Sequence, residues 1–220
     1  MPVLAKRALL AALTAIGLVL FVLGLWFTAH LGFSGTARFT ANPAGGSVVV
    51  LEPSVLNRVD QPVTVTASAG DGSPVWAGLA SPSDAAAIVG GAERTSVTSA
   101  HVSDWSLTTH RTGSGAAPAL SAADVWQSTK AGRGAVRVTV HQSDAPQSLV
   151  IATADGAPAH LDSLTLSVHR STWVFQSLLC ALVGLIALVA GAAGLWQLRK
   201  RPARKTTAPE TDQPAAQVAA

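Results

Sequence analysis

Two long uncharged, apolar runs bracket this chain, and they constrain its fold more than anything else in it. From Ala8 to Ala37 there is no charged residue, and residues 8–29 are almost continuously apolar. At ~1.5 Å per residue a helix over that run reaches about 33 Å, which matches a hydrocarbon core of ~30 Å. The second run extends from Ser171 to Leu198, with Trp173 and Trp196 near its ends, and Trp26 and Phe27 stand near the outer end of the first. Aromatic residues prefer the headgroup boundary. No water is present inside a bilayer to pair with the backbone, so both runs are predicted to be helical.

Charge sets the expected orientation. Lys6 and Arg7 precede the first run; Arg199, Lys200, Arg201, Arg204 and Lys205 follow the second. Positive flanks stay on the cytoplasmic side. The expectation is a multi-pass protein of the plasma membrane with both termini in the cytoplasm and the centre outside. The competing reading of the first run is a cleavable signal sequence ending at the small pair Gly35 and Ala37. Its apolar stretch is longer than the roughly 7–15 residues usual for such signals, which favours an uncleaved helix.

The chain therefore divides into a cytoplasmic start (1–7), a first membrane helix (8–29), an extracytoplasmic domain (30–172), a second membrane helix (173–198) and a basic, disordered tail (199–220). The net charge of +3 belongs to the flanks. Between Arg38 and Arg170 there are eight Lys/Arg against ten Asp/Glu. A nucleic-acid partner is excluded on this ground, because such a binder carries its basic patch on the folded domain. The five basic residues after the second helix are expected to contact anionic lipid headgroups, at about 1 kcal/mol each near the surface. Thr206 and Thr207 beside them are possible phosphorylation sites.

Glycines recur at heptad spacing: Gly17 and Gly24 in the first run, Gly184 and Gly191 in the second, with Gly194 completing a small-xxx-small pair with Ala190. Small residues let helix backbones approach where no hydrophobic force drives association. The leading expectation is that they pack the two helices together; a homo-oligomer face and no role at all are the alternatives. Cys180 is the only cysteine, so no intrachain disulfide can form, and it reads as a small apolar residue of the second helix.

Between the helices, short β-branched runs alternate with turn residues, the pattern of an all-β domain. Eight strands are predicted: Ser47–Leu51, Val63–Ser68, Val75–Ala80, Ser96–Ser103, Ser106–Thr112, Ala135–His141, Ser148–Thr153 and Ser163–Arg170. Asn42-Pro43, Gly70-Asp71-Gly72, Gly113-Ser114-Gly115, Asp144-Ala145-Pro146 and Asp155-Gly156 mark turns. Val136-Arg137-Val138-Thr139-Val140 and Leu164-Thr165-Leu166-Ser167-Val168 alternate cleanly, each with one apolar face. Ser83–Gly90 reads as one short helix and Ser121–Asp124 as a further turn. The fold class expected is two transmembrane α-helices flanking an all-β domain, a β-sandwich or jelly-roll-like double sheet.

The order Pro74-Val75-Trp76-Ala77-Gly78-Leu79-Ala80, Ser83-Asp84-Ala85, Val125-Trp126-Gln127 and Val150-Ile151-Ala152-Thr153-Ala154-Asp155-Gly156 resembles a group of two-pass membrane proteins of high-GC Gram-positive bacteria. The resemblance covers residues 73–198, and Thr153 stands where that group would carry Asn. It implies the two-helix architecture and brings no activity.

His30, His101, His110, His141, His160 and His169 show no metal-binding spacing and have no acidic cluster beside them, so no metal or cofactor is expected. Gly32-Phe33-Ser34-Gly35 lacks the context of a nucleophile elbow, and the Gly-rich pairs lack a following Lys-Ser/Thr. Trp76, Trp105 and Trp126 read as a sugar platform or as packing, with Trp76 in the core. The expected function is a non-enzymatic membrane protein whose outer domain binds another envelope component or serves as an accessory subunit. Its partners would be membrane lipids and another envelope or membrane protein, with a homo-oligomer possible. A membrane-tethered hydrolase and a sensor working through a partner are the alternatives.

Overall fold

Strict alternation of apolar and polar residues builds one side of the sheet, and continuous apolar runs build the other. The computed structural model describes residues 3–43, 48–141, 145–154, 157 and 160–200. Two apolar helices, α1 (Val3–Leu31) and α4 (Ser171–Lys200), flank a central β-rich region. Its elements are β1 (Thr36–Ala41), β2 (Val48–Leu51), α2 (Pro53–Leu56), β3 (Val63–Ser68), β4 (Pro74–Ala80), α3 (Pro82–Val89), β5 (Arg94–His101), β6 (Ser106–Thr112), a 3-10 turn (Leu120–Ala122), β7 (Ser128–Arg133), β8 (Ala135–Val140), β9 (Ser148–Ala152) and β10 (Ser163–His169).

The ten strands hydrogen-bond in the order β7-β4-β9-β2-β5-β6-β1-β10-β3-β8, a near-barrel sheet. Its two end strands, β7 and β8, are consecutive in the chain and joined by Gly134 alone, whose φ of 70° suits a residue without Cβ. The joint between β6 and β1 is a single parallel pair, Thr40 with Ser106, supported by the Thr40 amide donating to the Trp105 carbonyl at 3.0 Å. Six strands thus lie on one side of that joint and four on the other. Most pairs are antiparallel; β2 and β5 are parallel.

Ten strands replace the eight predicted. β1 is an alternating strand, with Ala37 and Phe39 buried; it starts only five residues after α1 ends, in a segment where no strand was predicted. β7 has the sequence Ser-Thr-Lys-Ala-Gly-Arg with no buried residue, so it has no apolar face to read, and its place comes from backbone pairing with β4. A second correction concerns helices: the four-residue α2 accompanies α3. The helix predicted at Ser83–Gly90 begins at Pro82 and is capped by Ser81, which accepts the Asp84 amide. The strand predicted to run to Ser103 ends at His101, and residues 102–105 form the turn into β6.

The main core gathers the inward residues of both sides. β3 supplies Val63, Val65 and Ala67, β8 Val136, Val138 and Val140, and β10 Leu164, Leu166 and Val168. They pack with Val49, Leu51, Val75, Ala77, Leu79, Val97, Leu149 and Ile151 from the six-strand side. A second cluster covers the outer face of β2, β4 and β9: Val48, Trp76, Ala80, Val150 and Ala152 lie against Ala85 and Val89 of α3 and against Leu120. β4 and β9 are therefore buried on both faces, and this is why they read as unbroken apolar runs.

The chain forms two compact units, residues 3–25 with 179–200, and residues 26–178. In the first, α1 and α4 touch through glycine. A Cβ added at Gly17 would stand under 3.0 Å from the backbone of Gly184, Ala187 and Leu188, and one at Gly24 under 3.0 Å from Ala181. Gly184 faces Phe21, Gly17 and Leu20; Gly191 faces Thr14; Gly194 faces only the Leu10 side chain. The Cys180 thiol donates to the Leu20 carbonyl at 3.5 Å. On the opposite faces Ile16, Val19, Ile186 and Val189 are each more than half exposed.

Candidate functional site

The outward face of β1, β10, β3 and β8 is built by the same alternation that fills the core. Register places side by side Arg38, Ser167, Thr64 and Thr139 in one row, and Thr40, Thr165, Thr66 and Arg137 in the next. Thr36 pairs with His169, and Ser163 with Ser68. All of these are exposed or half-buried. Neighbouring strands lie about 4.8 Å apart and same-face residues about 6.7 Å apart, so the face is a regular lattice of hydroxyls with a guanidinium at each of two opposite edges.

The lattice is tied together. Thr64 Oγ1 and Thr139 Oγ1 are 3.2 Å apart, Ser167 Oγ donates to the Thr64 carbonyl at 3.1 Å, and Arg137 Nε donates to Thr66 Oγ1 at 3.4 Å. At one end an open groove of about 340 Å³ is lined by Thr36, Gln61, Pro62, Thr64, Ser167 and His169. His169 Nδ1 lies 3.2 Å from Thr36 Oγ1, and the Ser34 hydroxyl donates to the same oxygen at 3.1 Å.

Charge is segregated on this domain. No strand contains Asp or Glu, whereas Arg38, Arg94, Arg111, Lys130, Arg133 and Arg137 all lie on strands. The described carboxylates sit outside the strands, and several are held by nearby donors. Asp71 accepts the Ser73 amide at 2.9 Å, and that hydrogen bond holds its carboxyl below the ordinary value. Asp104 accepts from the Ser106 hydroxyl at 2.9 Å, with the same effect. Asp162 accepts the Gly70 amide, and Glu93 pairs with Arg111.

The three tryptophans do not converge. Trp76 is buried, and Trp126 meets it edge-on at 4.9 Å with its Nε1 donating to the Leu120 carbonyl at 2.7 Å. Both belong to the outer cover of β4. Trp105 joins a separate cluster with Trp26, His30 and Phe39; the His30 ring stacks on it at 5.5 Å and 8°. His30 Nδ1 lies 2.9 Å from the Trp26 carbonyl, which can only accept, so that nitrogen carries the proton. Trp105 has φ 55°, a left-handed conformation that a bulky residue rarely adopts.

The other histidines are scattered. His101 Nε2 meets Thr108 Oγ1 at 2.7 Å, His110 lies opposite Ser96 on β6, and His141 and His160 are exposed. Among the described residues no three His, Cys, Asp or Glu stand together as a metal site. Arg199 and Lys200 occupy the last turn of α4, with Lys200 Nζ 3.7 Å from the Trp196 ring centre. Arg201, Arg204, Lys205, Thr206 and Thr207 lie outside the described residues, as do Ser47, Asp144 and the Asp155-Gly156 turn.

The hydroxyl face was missed by sequence reasoning, although one signal was present. Apart from His169, the polar positions of β3 and β10 are all Thr and Ser, with no Lys or Glu. What no local pattern could supply is the strand order that sets them beside one another. Comparison with known proteins adds no relative: no known family, no curated protein and no solved structure matches this chain.

Proposed function

We propose that this chain is an integral membrane protein that crosses the bilayer twice and presents residues 30–172 outside the cell as a non-enzymatic binding or accessory module. The observation that carries the reading is the helix pair. α1 and α4 are both long and apolar enough to cross a membrane, they meet through glycines, and they turn large aliphatic side chains away from that contact. In water such a surface is strongly unfavourable, at about 25 cal/mol per Å² of apolar area; in lipid it is solvated. Lys6 and Arg7 near the start of α1, and the basic run that begins at Arg199, favour the cytoplasm for both ends. The resemblance to two-pass proteins of high-GC Gram-positive bacteria agrees with this topology.

The module reading rests on the hydroxyl face and its groove. Their hydroxyl, amide, imidazole and guanidinium groups suit a ligand held by hydrogen bonds and charge. In this reading the basic end of α4 contacts anionic headgroups, and another envelope or membrane protein docks on the outer domain.

Topology is testable in intact cells on a Cys180→Ala background. A cysteine at the exposed Ser114 should react with a membrane-impermeant maleimide, and one at Thr207 should react only after permeabilisation. The opposite pattern, or a mature chain beginning near Arg38, would refute the reading.

A further inference from the structure

We infer that the outward face of β1, β10, β3 and β8 binds an extended, hydroxyl-bearing anionic polymer, an acidic glycan. The inference names the ligand class for the module proposed above and rests on that reading for the side of the membrane on which the polymer is met.

Charge complementarity is the first argument. Arg38 and Arg137 stand on this face, neither forms an ion pair among the described residues, and none of the four strands carries a carboxylate. The domain as a whole has more acid than base, so the cations have been left where acid is excluded. β-propensity accounts for scarce Asp on strands, and less well for the lack of Glu. Guanidinium groups bind carboxylate and phosphate through paired N–H donors.

Geometry gives the second. Arg38 and Arg137 are separated by three strand spacings and one same-face repeat, roughly 16 Å between backbone positions. Between them lie Ser167, Thr64, Thr165 and Thr66. A chain with anionic groups at intervals and hydroxyls between them can use both guanidinium groups and the hydroxyls together, whereas a single small anion reaches only one end. Thr side chains are stiff at χ1, and those on β3 and β8 are already hydrogen-bonded, so ordering them on binding costs little. Apart from His169 no ring projects from these strands, so the face offers no stacking platform for nucleic-acid bases.

The test uses the full chain in nanodiscs of zwitterionic lipid, probed with polygalacturonate, with neutral dextran of similar length and with single-stranded DNA. Polygalacturonate should bind in a salt-sensitive way, and dextran should not. Arg38→Gln with Arg137→Gln should weaken binding by about tenfold or more, the scale of losing one or two charge-assisted hydrogen bonds. Lys130→Gln with Arg133→Gln, on β7, should change it less than about twofold. Thr66→Val with Thr165→Val should weaken it by about threefold with the salt dependence unchanged. The unfolding midpoint of each variant verifies that it is folded. No retention of polygalacturonate, equal binding of dextran, tighter binding of DNA, or full affinity in the folded double-arginine variant would each overturn the inference. Binding by the purified protein does not depend on membrane side, so its failure leaves the topology reading intact, and reversed labelling in cells leaves the binding result intact.

Discussion

Strands β8 and β9 are alike in length and both carry β-branched residues, yet the sheet treats them differently. β8 buries Val136, Val138 and Val140 and exposes Ala135, Arg137 and Thr139. β9 buries every residue from Ser148 to Ala152. The cause lies in what covers their outer faces. β9 runs between β4 and β2, and α3, Leu120 and Trp126 close over it. β8 ends the strand order, and its outer side faces solvent. β4 and β9 therefore use both faces in packing, whereas β8 and its neighbours β3, β10 and β1 keep a face free for hydroxyls and arginines.

The largest expected effect tests that contrast directly. On β9 an aspartate at either parity should unfold the domain, because Val150 lies in the outer cluster and Ile151 in the inner one. Burying an unpaired carboxylate costs several kcal/mol, about the whole stability of a domain. On β8 only one parity should matter: Val138→Asp should unfold the domain, and Thr139→Asp should leave its melting midpoint nearly unchanged. Circular dichroism of the four variants gives the readout. If Val150→Asp folded normally, the cover over β9 would not be the packed layer described.

The same contrast explains what could be read before the fold was known. β3, β6, β8 and β10 announce themselves by alternation or by turn residues at both ends. β4 and β9 announce themselves as continuous apolar runs, because they are buried twice. β7 could not be read, since a strand exposed throughout leaves no periodic mark. β1 carries an alternating Ala37 and Phe39, but only two apolar positions in six residues mark its inner face, and no strand was predicted there. The candidate face was legible only as single strands. Arg38, Ser167, Thr64 and Thr139 are neighbours through three antiparallel pairings between distant segments, and no local chemistry encodes that order.

A middle-sized effect belongs to the helices, where a close-contact face and an exposed face again oppose each other. Gly17→Leu with Gly184→Leu places side chains where backbone stands under 3.0 Å from a Cβ, so the helices must separate. Overpacking of this kind costs about 1–3 kcal/mol or more per site. Gly194→Ala meets only the tip of Leu10, and Ile16→Leu meets nothing packed, so both should be tolerated. Thermal unfolding in detergent, read through the helix signal, should rank the variants in that order. Equal midpoints for all three would mean that the glycines do not hold the pair together.

The smallest expected effect lies at the Thr40–Ser106 pair that joins β6 to β1. Asp104 lies in the turn that delivers Trp105 and Ser106 to β1, and the Ser106 hydroxyl is the first cause of its lowered pKa, with Ser103 contributing less. A carboxyl lowered in the folded state contributes stability above its unfolded pKa, and that contribution is lost as pH falls through the folded value. Ser106→Ala removes the leading donor and returns Asp104 toward its ordinary pKa. The variant should therefore unfold slightly earlier than the wild type at pH 7. The gap should close in strongly acidic buffer, where the carboxyl is protonated in both proteins. Asp104 is fully exposed, so the difference will be small and needs calorimetry with matched samples. In Asp104→Asn the same Ser106→Ala change should show no pH-dependent gap at all. A gap that persisted unchanged into acid would assign the role of Ser106 to its pairing with Thr40 across the joint, and would make that joint a matter of strand register alone.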